Sequence, residues 1–277
     1  MKKSILTLFV FLLVSLWTHG NDDPFTNSII FDQPTSVSTS SSAGKKNDNY
    51  LGNGNGSSTG KVKNFTEGTV ISHDVKRMKG KKGYTHIVLV LDASGSMSPY
   101  KDVMVEACSK FLKTQSTIPG SITIDVWVFS SRARSPYIEK IINFEKLTNK
   151  NYLEEYECSG LTPLFDASFT SIIDLEKRIK KLSKSRENPE TVIFVIVSDG
   201  ADNLSVHSPK DVSDKIFDHI EEWNFLMLGI GSTIANIGPA MGLPSSNCFN
   251  VLLNEPSQVK VVWDAINEFS KRSRTQK

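Results

Sequence analysis

From Tyr84 onward, apolar runs of β character alternate with stretches of helical period, and nothing else in the chain restricts its fold as much. The β-rich runs cover 85–91, 122–129, 191–197 and 225–230; the helix-like stretches cover 100–117, 164–185, 210–223 and 256–272, with a shorter one near 233–241. Two of the runs are apolar nearly throughout, the mark of strands covered on both faces. Strand–helix alternation of this kind predicts an α/β domain of about 190 residues, a mainly parallel sheet sandwiched by helices. The 277 residues, 39% hydrophobic and 22% charged, are enough to enclose such a core. Collagen-like, wholly disordered and small disulfide-stapled chains are excluded.

The first 83 residues have a different texture. Lys2 and Lys3 precede an apolar stretch, 5–17, broken only by Thr7 and Ser15, and the polar exit Thr18-His19-Gly20. Thirteen residues suit a signal-peptide core better than a bilayer span of roughly 20. Residues 1–20 therefore read as a signal peptide, with an uncleaved anchor as the alternative, and the expected location is secreted, or periplasmic in a bacterium. No later segment has the apolar length of a membrane span. Residues 21–82 carry a Ser/Thr run at 35–42 and a Gly/Asn tract at 52–60, with few apolar clusters, and read as a disordered linker. Gly56-Ser57-Ser58-Thr59-Gly60-Lys61 is not a phosphate-binding loop: Asn55 stands where its first glycine belongs and Val62 where Ser or Thr is required. Lys76, Arg77, Lys79, Lys81 and Lys82 form a basic run, read as solvated linker, with a processing site or an anionic-surface contact as alternatives.

Charge and cysteine content narrow the partners. Of 32 basic and 30 acidic residues, two lysines lie in the leader, so the remainder balances at 30 and 30. From Tyr84 on, 24 acids face 21 bases. That balance argues against a polybasic nucleic-acid binder. Cys108 falls at helical spacing with Met104, Ala107, Phe111 and Leu112 and reads as a core thiol. Cys158 and Cys248 are then the candidate disulfide pair. Asn55, Asn64 and Asn203 each begin a glycosylation pattern, which matters only in a eukaryote.

Chemistry concentrates at strand ends. The first strand runs into Asp92-Ala93-Ser94-Gly95-Ser96-Met97, and the third run into Ser198-Asp199-Gly200. In doubly wound sheets ligands bind at this C-terminal edge. Between them Ser159-Gly160-Leu161-Thr162-Pro163 turns into a helix, with Pro163 suited to a first helical position and Thr162 biased away from helical dihedrals. Two carboxylates and three hydroxyls form an all-oxygen set suited to a hard cation such as Mg2+ or Mn2+ and poorly suited to zinc.

Asp92-Ala93-Ser94-Gly95-Ser96, a threonine 70 residues on and an aspartate 37 beyond that resemble the five-residue metal-ion-dependent adhesion site of von Willebrand factor type A domains. The resemblance covers roughly 83–277. It implies a Rossmann-like three-layer sandwich around a six-stranded, mainly parallel sheet with one short antiparallel edge strand near Tyr137 and Ile138. It also implies Ser94, Ser96 and Thr162 as direct metal ligands, with Asp92 and Asp199 acting mostly through water. A cation without an anionic inner ligand keeps an open vertex that a partner's carboxylate can fill.

The leading expectation is thus a secreted, non-enzymatic binding protein that captures an Asp or Glu of a protein partner. One alternative is a metal-dependent hydrolase with His207 as base. Another is a structural metal that pins the loops while recognition happens elsewhere. Arg132 and Arg134 read as a solvated turn, with contact to an acidic partner as the alternative. The six cations among residues 177–186 read as the wet face of a helix end.

Overall fold

The computed structural model describes residues 63–64, 70–148, 152–154, 156–200, 202–230, 234–251 and 257–275. The leader, the Ser/Thr run, the Gly/Asn tract and Asn55 lie outside them. In chain order the elements are β1 (Lys63–Asn64), β2 (Lys81–Asp92), α1 (Lys101–Thr117), β3 (Ser121–Arg132), β4 (Ser135–Lys146), α2 (Leu164–Ser183) and β5 (Pro189–Ser198), then α3 (Pro209–His219), β6 (Trp223–Ile230), α4 (Ile234–Ala240), β7 (Cys248–Val251) and α5 (Ser257–Thr275). The sheet order is β1-β7-β6-β5-β2-β3-β4. Every pairing is parallel except β3 with β4. The result is an α/β three-layer sandwich of Rossmann-like type.

Strand periodicity divides the core into two layers. Ile87, Leu89 and Leu91 of β2 face one layer with α1 and α5, through Met104, Phe111, Val262 and Phe269. Val88 and Val90 face the other with α2 and α3, through Leu164, Ile172, Leu175, Val212 and Ile216. With both faces covered, alternation disappears and the strands read as continuous apolar runs. Successive crossovers move outward from β2 on both sides. The chain's direction across the sheet therefore reverses between β2 and β5, opening a crevice at their C-terminal ends.

Four sequence expectations need correction. The antiparallel edge strand is not short: β4 has 12 residues. On this edge strand, charged pairs such as Glu139-Lys140 and Glu145-Lys146 interrupt the apolar residues, and only Ile142 of β4 is fully buried, so its β signal is weak. A further two-residue strand, β1, extends the sheet beyond six. The ordered domain starts before residue 83. Ile71 is in the core, the Lys76 N–H donates to Asn224 Oδ1 at 2.8 Å, and Asn188 Nδ2 donates to the Lys79 carbonyl at 2.7 Å, so 70–82 is docked chain. Finally, Cys158 packs against one core layer and Cys248 against the other, on opposite faces of the sheet, and both are free thiols. Cys108 is in the core as expected, and burial pushes its thiol far above the ordinary value.

No helix among the described residues is long and apolar enough to cross a membrane.

Candidate metal centre

Asp92 ends β2 and Ser198 ends β5, so the crevice lies between them. The Asp92 carboxylate is held from both sides: the Ser94 N–H donates to Oδ1 at 2.8 Å and the Ser198 hydroxyl to Oδ2 at 2.6 Å. Ser198 Oγ also accepts the Gly200 N–H at 3.0 Å, which fixes the backbone on both sides of Asp199. The buried Tyr156 hydroxyl donates to the Asp92 carbonyl. Ser94 Oγ and Ser96 Oγ lie 3.1 Å apart and share a hydrogen bond.

The Thr162 turn is laced to that loop. The Gly95 N–H donates to the Gly160 carbonyl at 3.0 Å and the Ser159 N–H to the Ala93 carbonyl at 2.8 Å. Gly160 has φ +76°, and a Cβ there would sit 2.5 Å from the Ser131 carbonyl oxygen. Only glycine combines that dihedral with that approach. Ser131 Oγ in turn accepts the Leu161 N–H at 2.7 Å.

The loop after β5 closes the third side. Asn203 Oδ1 accepts the Thr162 N–H at 2.8 Å while the Asn203 N–H donates to the Thr162 carbonyl at 3.1 Å. Pro163 occupies the N-cap of α2, one position before that expected, and offers no side-chain cap. The open amides are served from this loop: Asp202 Oδ2 accepts from Phe165 N–H and Ser205 Oγ from Asp166 N–H. Asp166 reciprocates by accepting the Val206 and His207 N–H groups. His207 shares a 2.6 Å hydrogen bond between Nδ1 and Asp166 Oδ1, and its ring stacks on Phe169 with centroids 4.1 Å apart.

Asp92 (0%), Ser94 (0%), Thr162 (2%) and Asp199 (9%) are buried, whereas Ser96 is exposed and marks the mouth. Burial raises the Asp92 carboxyl to about 6; donors from Ser198 and Ser94 oppose this and the neighbouring Asp199 charge adds to it. A hard cation between the carboxylates would reverse both the burial penalty and the mutual repulsion. Among the described residues no group of three or more His, Cys, Asp or Glu gathers around a point. The donor set here is two carboxylates and hydroxyls, which fits Mg2+ or Mn2+ by chemistry.

Sequence reasoning missed Ser198, Tyr156, Asp202 and Ser205. Ser198 adjoins Asp199 and was within reach of a motif reading. The other three act on backbone groups that only the tertiary fold brings near. The Arg132 guanidinium lies 3.4 Å from the Tyr137 ring centroid.

No family model matches the sequence, and no curated protein matches it. Among solved structures the chain is similar to proximal thread matrix protein 1 of the mussel byssus, with 14% identity and TM-score 0.50 over 69% of this chain and 50% of that one. It is similar to the pilus adhesin SpaC of Lactobacillus rhamnosus GG in its open conformation, with 11% identity and TM-score 0.54 over 72% of this chain and 31% of that one. A von Willebrand factor type A protein of Catenulispora acidiphila aligns with 12% identity and TM-score 0.48, over 70% and 43%. The chain spans half or less of the length of these proteins. At such identities the likeness is one of fold: this α/β sandwich is shared with a byssal matrix protein and a pilus adhesin.

Proposed function

We propose that this chain is a secreted binding module of the von Willebrand factor type A kind. In this reading it captures an acidic group of a protein partner through a divalent cation, Mg2+ or Mn2+, held by Asp92, Ser94, Ser96, Thr162 and Asp199. The observation that carries the reading is the lacing of three loops, distant in sequence, at the β2/β5 reversal. When bound, the cation supplies an electrophilic vertex for a partner's carboxylate. The chain's own residues prepare that vertex. Ser198 and the Ser94 amide aim the Asp92 carboxylate, Gly160 allows the Thr162 turn to approach, and the Asn203 pair of bonds holds Thr162 in place. Leu161 and Val206, both exposed, offer apolar contact on the two flanking loops. The fold shared with a matrix protein and an adhesin supports a binding role.

The test is capture of proteins from native fluid by the full chain in Mg2+ and in EDTA, with Ser94→Ala and Thr162→Ala alongside. Capture lost in EDTA and in both variants is expected; capture that survives chelation rejects the reading. A second reading, metal-dependent hydrolysis, draws on one observation: His207 has a placed carboxylate partner in Asp166. That carboxylate is also occupied with two loop amides, which fits a loop staple. Turnover of a phosphate and ester panel that needs both the metal and His207 would promote this second reading.

A further inference from the structure

We infer that the edge of the molecule opposite the candidate metal centre is a docking face for a sulfated polysaccharide. Two basic runs about a hundred residues apart in sequence meet there. Lys79, Lys81 and Lys82 lie at the entry of β2, and Lys180, Lys181 and Lys184 at the end of α2; all six are exposed, and Arg186 follows. Parallel pairing of Lys81 with Pro189 brings the runs together. The Lys81 N–H donates to the Asn188 carbonyl at 2.8 Å and Asn188 Nδ2 to the Lys79 carbonyl at 2.7 Å. A Cβ on Gly80 would lie 2.3 Å from the Pro189 oxygen, so the two backbones cross at a distance that only glycine permits. The face is therefore rigid. Since Asp92 and Ser198 end the strands that Lys81 and Pro189 begin, it lies on the order of 35 Å from the crevice.

Folding alone does not account for this gathering of charge. Lys180 and Lys181 gain from the C-terminal dipole of α2. The β2 lysines gain nothing of the kind, and juxtaposing like charges costs energy. Glu187, 2.9 Å from Lys81, offsets one of them. Over residues 70–277 the domain is close to neutral, with 25 acids and 26 bases, so the patch is a local concentration and not overflow from a strongly basic protein. An external polyanion supplies the missing countercharge.

The side chains select the class of polyanion. None of the exposed large apolar residues, Val70, Ile141, Leu161, Val206 and Phe217, belongs to either run. Without exposed aromatics there is no stacking platform for bases. Without an apolar face there is nothing to insert between lipid headgroups. Lysines are flexible point charges that meet spaced sulfate esters without fixed geometry.

The experiment measures binding of the full chain to heparin, to duplex DNA and to phosphatidylserine vesicles, all in EDTA so that the candidate metal centre is silent. The variant Lys180→Gln/Lys181→Gln/Lys184→Gln is compared with Lys110→Gln/Lys210→Gln/Lys260→Gln, which removes equal charge elsewhere. Heparin affinity should fall at least tenfold in the first variant, and the slope of log K against log salt should shrink by about two to three. The second variant should stay within about twofold of the parent, and both should melt like the parent. Equal losses in the two triple variants would overturn the proposal, as would tighter binding to DNA or vesicles than to heparin.

Discussion

Ser198 shows how much of the candidate site can rest on one side chain that positions others. Its hydroxyl donates to Asp92 Oδ2 and accepts the Gly200 amide, so one side chain sets the positions of both acidic loops. Residues that orient metal ligands typically matter 10–100-fold in affinity. Ser198→Ala should accordingly weaken Mg2+ binding at least tenfold in calorimetric titration while the fold survives; unchanged affinity would show that Asp92 needs no such support. At this scale the sequence was legible where chemistry is local. Asp92, Ser94 and Ser96 are two residues apart and cluster by chain geometry alone, and Asp199 stands at a strand end. Ser198 was legible as the neighbour of Asp199 but not in its role, because a serine closing an apolar strand carries no mark of which way it turns. Tyr156 and Asn203 bond to backbone atoms, and such partners leave no pattern in residue types.

Among the elements, the central strands could be read and the edge could not. β2, β5 and β6 bury both faces and leave continuous apolar runs; β4 hides its strand character behind paired charges that break its apolar residues. The β3–β4 turn carries Ala133 and Arg134 at φ 48° and 61°, dihedrals that a two-residue hairpin turn favours but that β-carbon-bearing residues adopt at a cost. Replacing the pair with Asn-Gly should stabilise the domain by about 1 kcal/mol, or roughly 2–4 °C in thermal melting. An unchanged or lower melting temperature would mean that Arg132 over Tyr137, and not the turn, sets the hairpin's stability.

The same edge is pinned beneath by polar groups. Asp125 accepts from Lys140 at 3.0 Å and from the Phe144 amide, while Lys140 also reaches Asp174. His86, fully buried in β2, shares a 2.9 Å bond through Nδ1 with Thr123, and its Nε2 stands 3.6 Å from Asp125, beyond hydrogen-bond reach. Burial holds its pKa below the ordinary value, with Asp125 opposing and Arg178 and Lys140 reinforcing. The unfolded chain therefore binds a proton at about 6.5 that the folded chain refuses, so His86 withdraws stability as pH drops below that value, against the gain from the raised Asp92 carboxyl. Urea midpoints should be lower at pH 5.5 than at pH 7.5, and His86→Gln should flatten that difference. An equal slope in the variant would place the acid sensitivity elsewhere.

For the molecule as a whole, the reversal of chain direction between β2 and β5 ties the fold to the proposed function. It puts the ends of two strands and the start of α2 side by side, so the loops that carry Asp92, Ser94, Ser96, Thr162 and Asp199 are joined through backbone hydrogen bonds. Helix and strand alternation made the sandwich readable from sequence; the docking of 70–82 was not, because its few apolar residues, Ile71 among them, are too sparse to signal a packed segment. A ligand that binds only the folded chain stabilises it by mass action, about 2.7 kcal/mol at a hundredfold excess over its dissociation constant. Saturating Mg2+ should thus raise the melting temperature of the full chain by several degrees, with EDTA reversing the shift. Thr162→Ala tests whether the loops act together: it leaves both carboxylates intact, yet it should abolish the Mg2+ shift while the melting temperature in EDTA stays near that of the parent. If the variant kept the full shift, Thr162 would lie outside the cation's reach, and the crevice would hold metal through the Asp92–Ser96 loop and Asp199 alone.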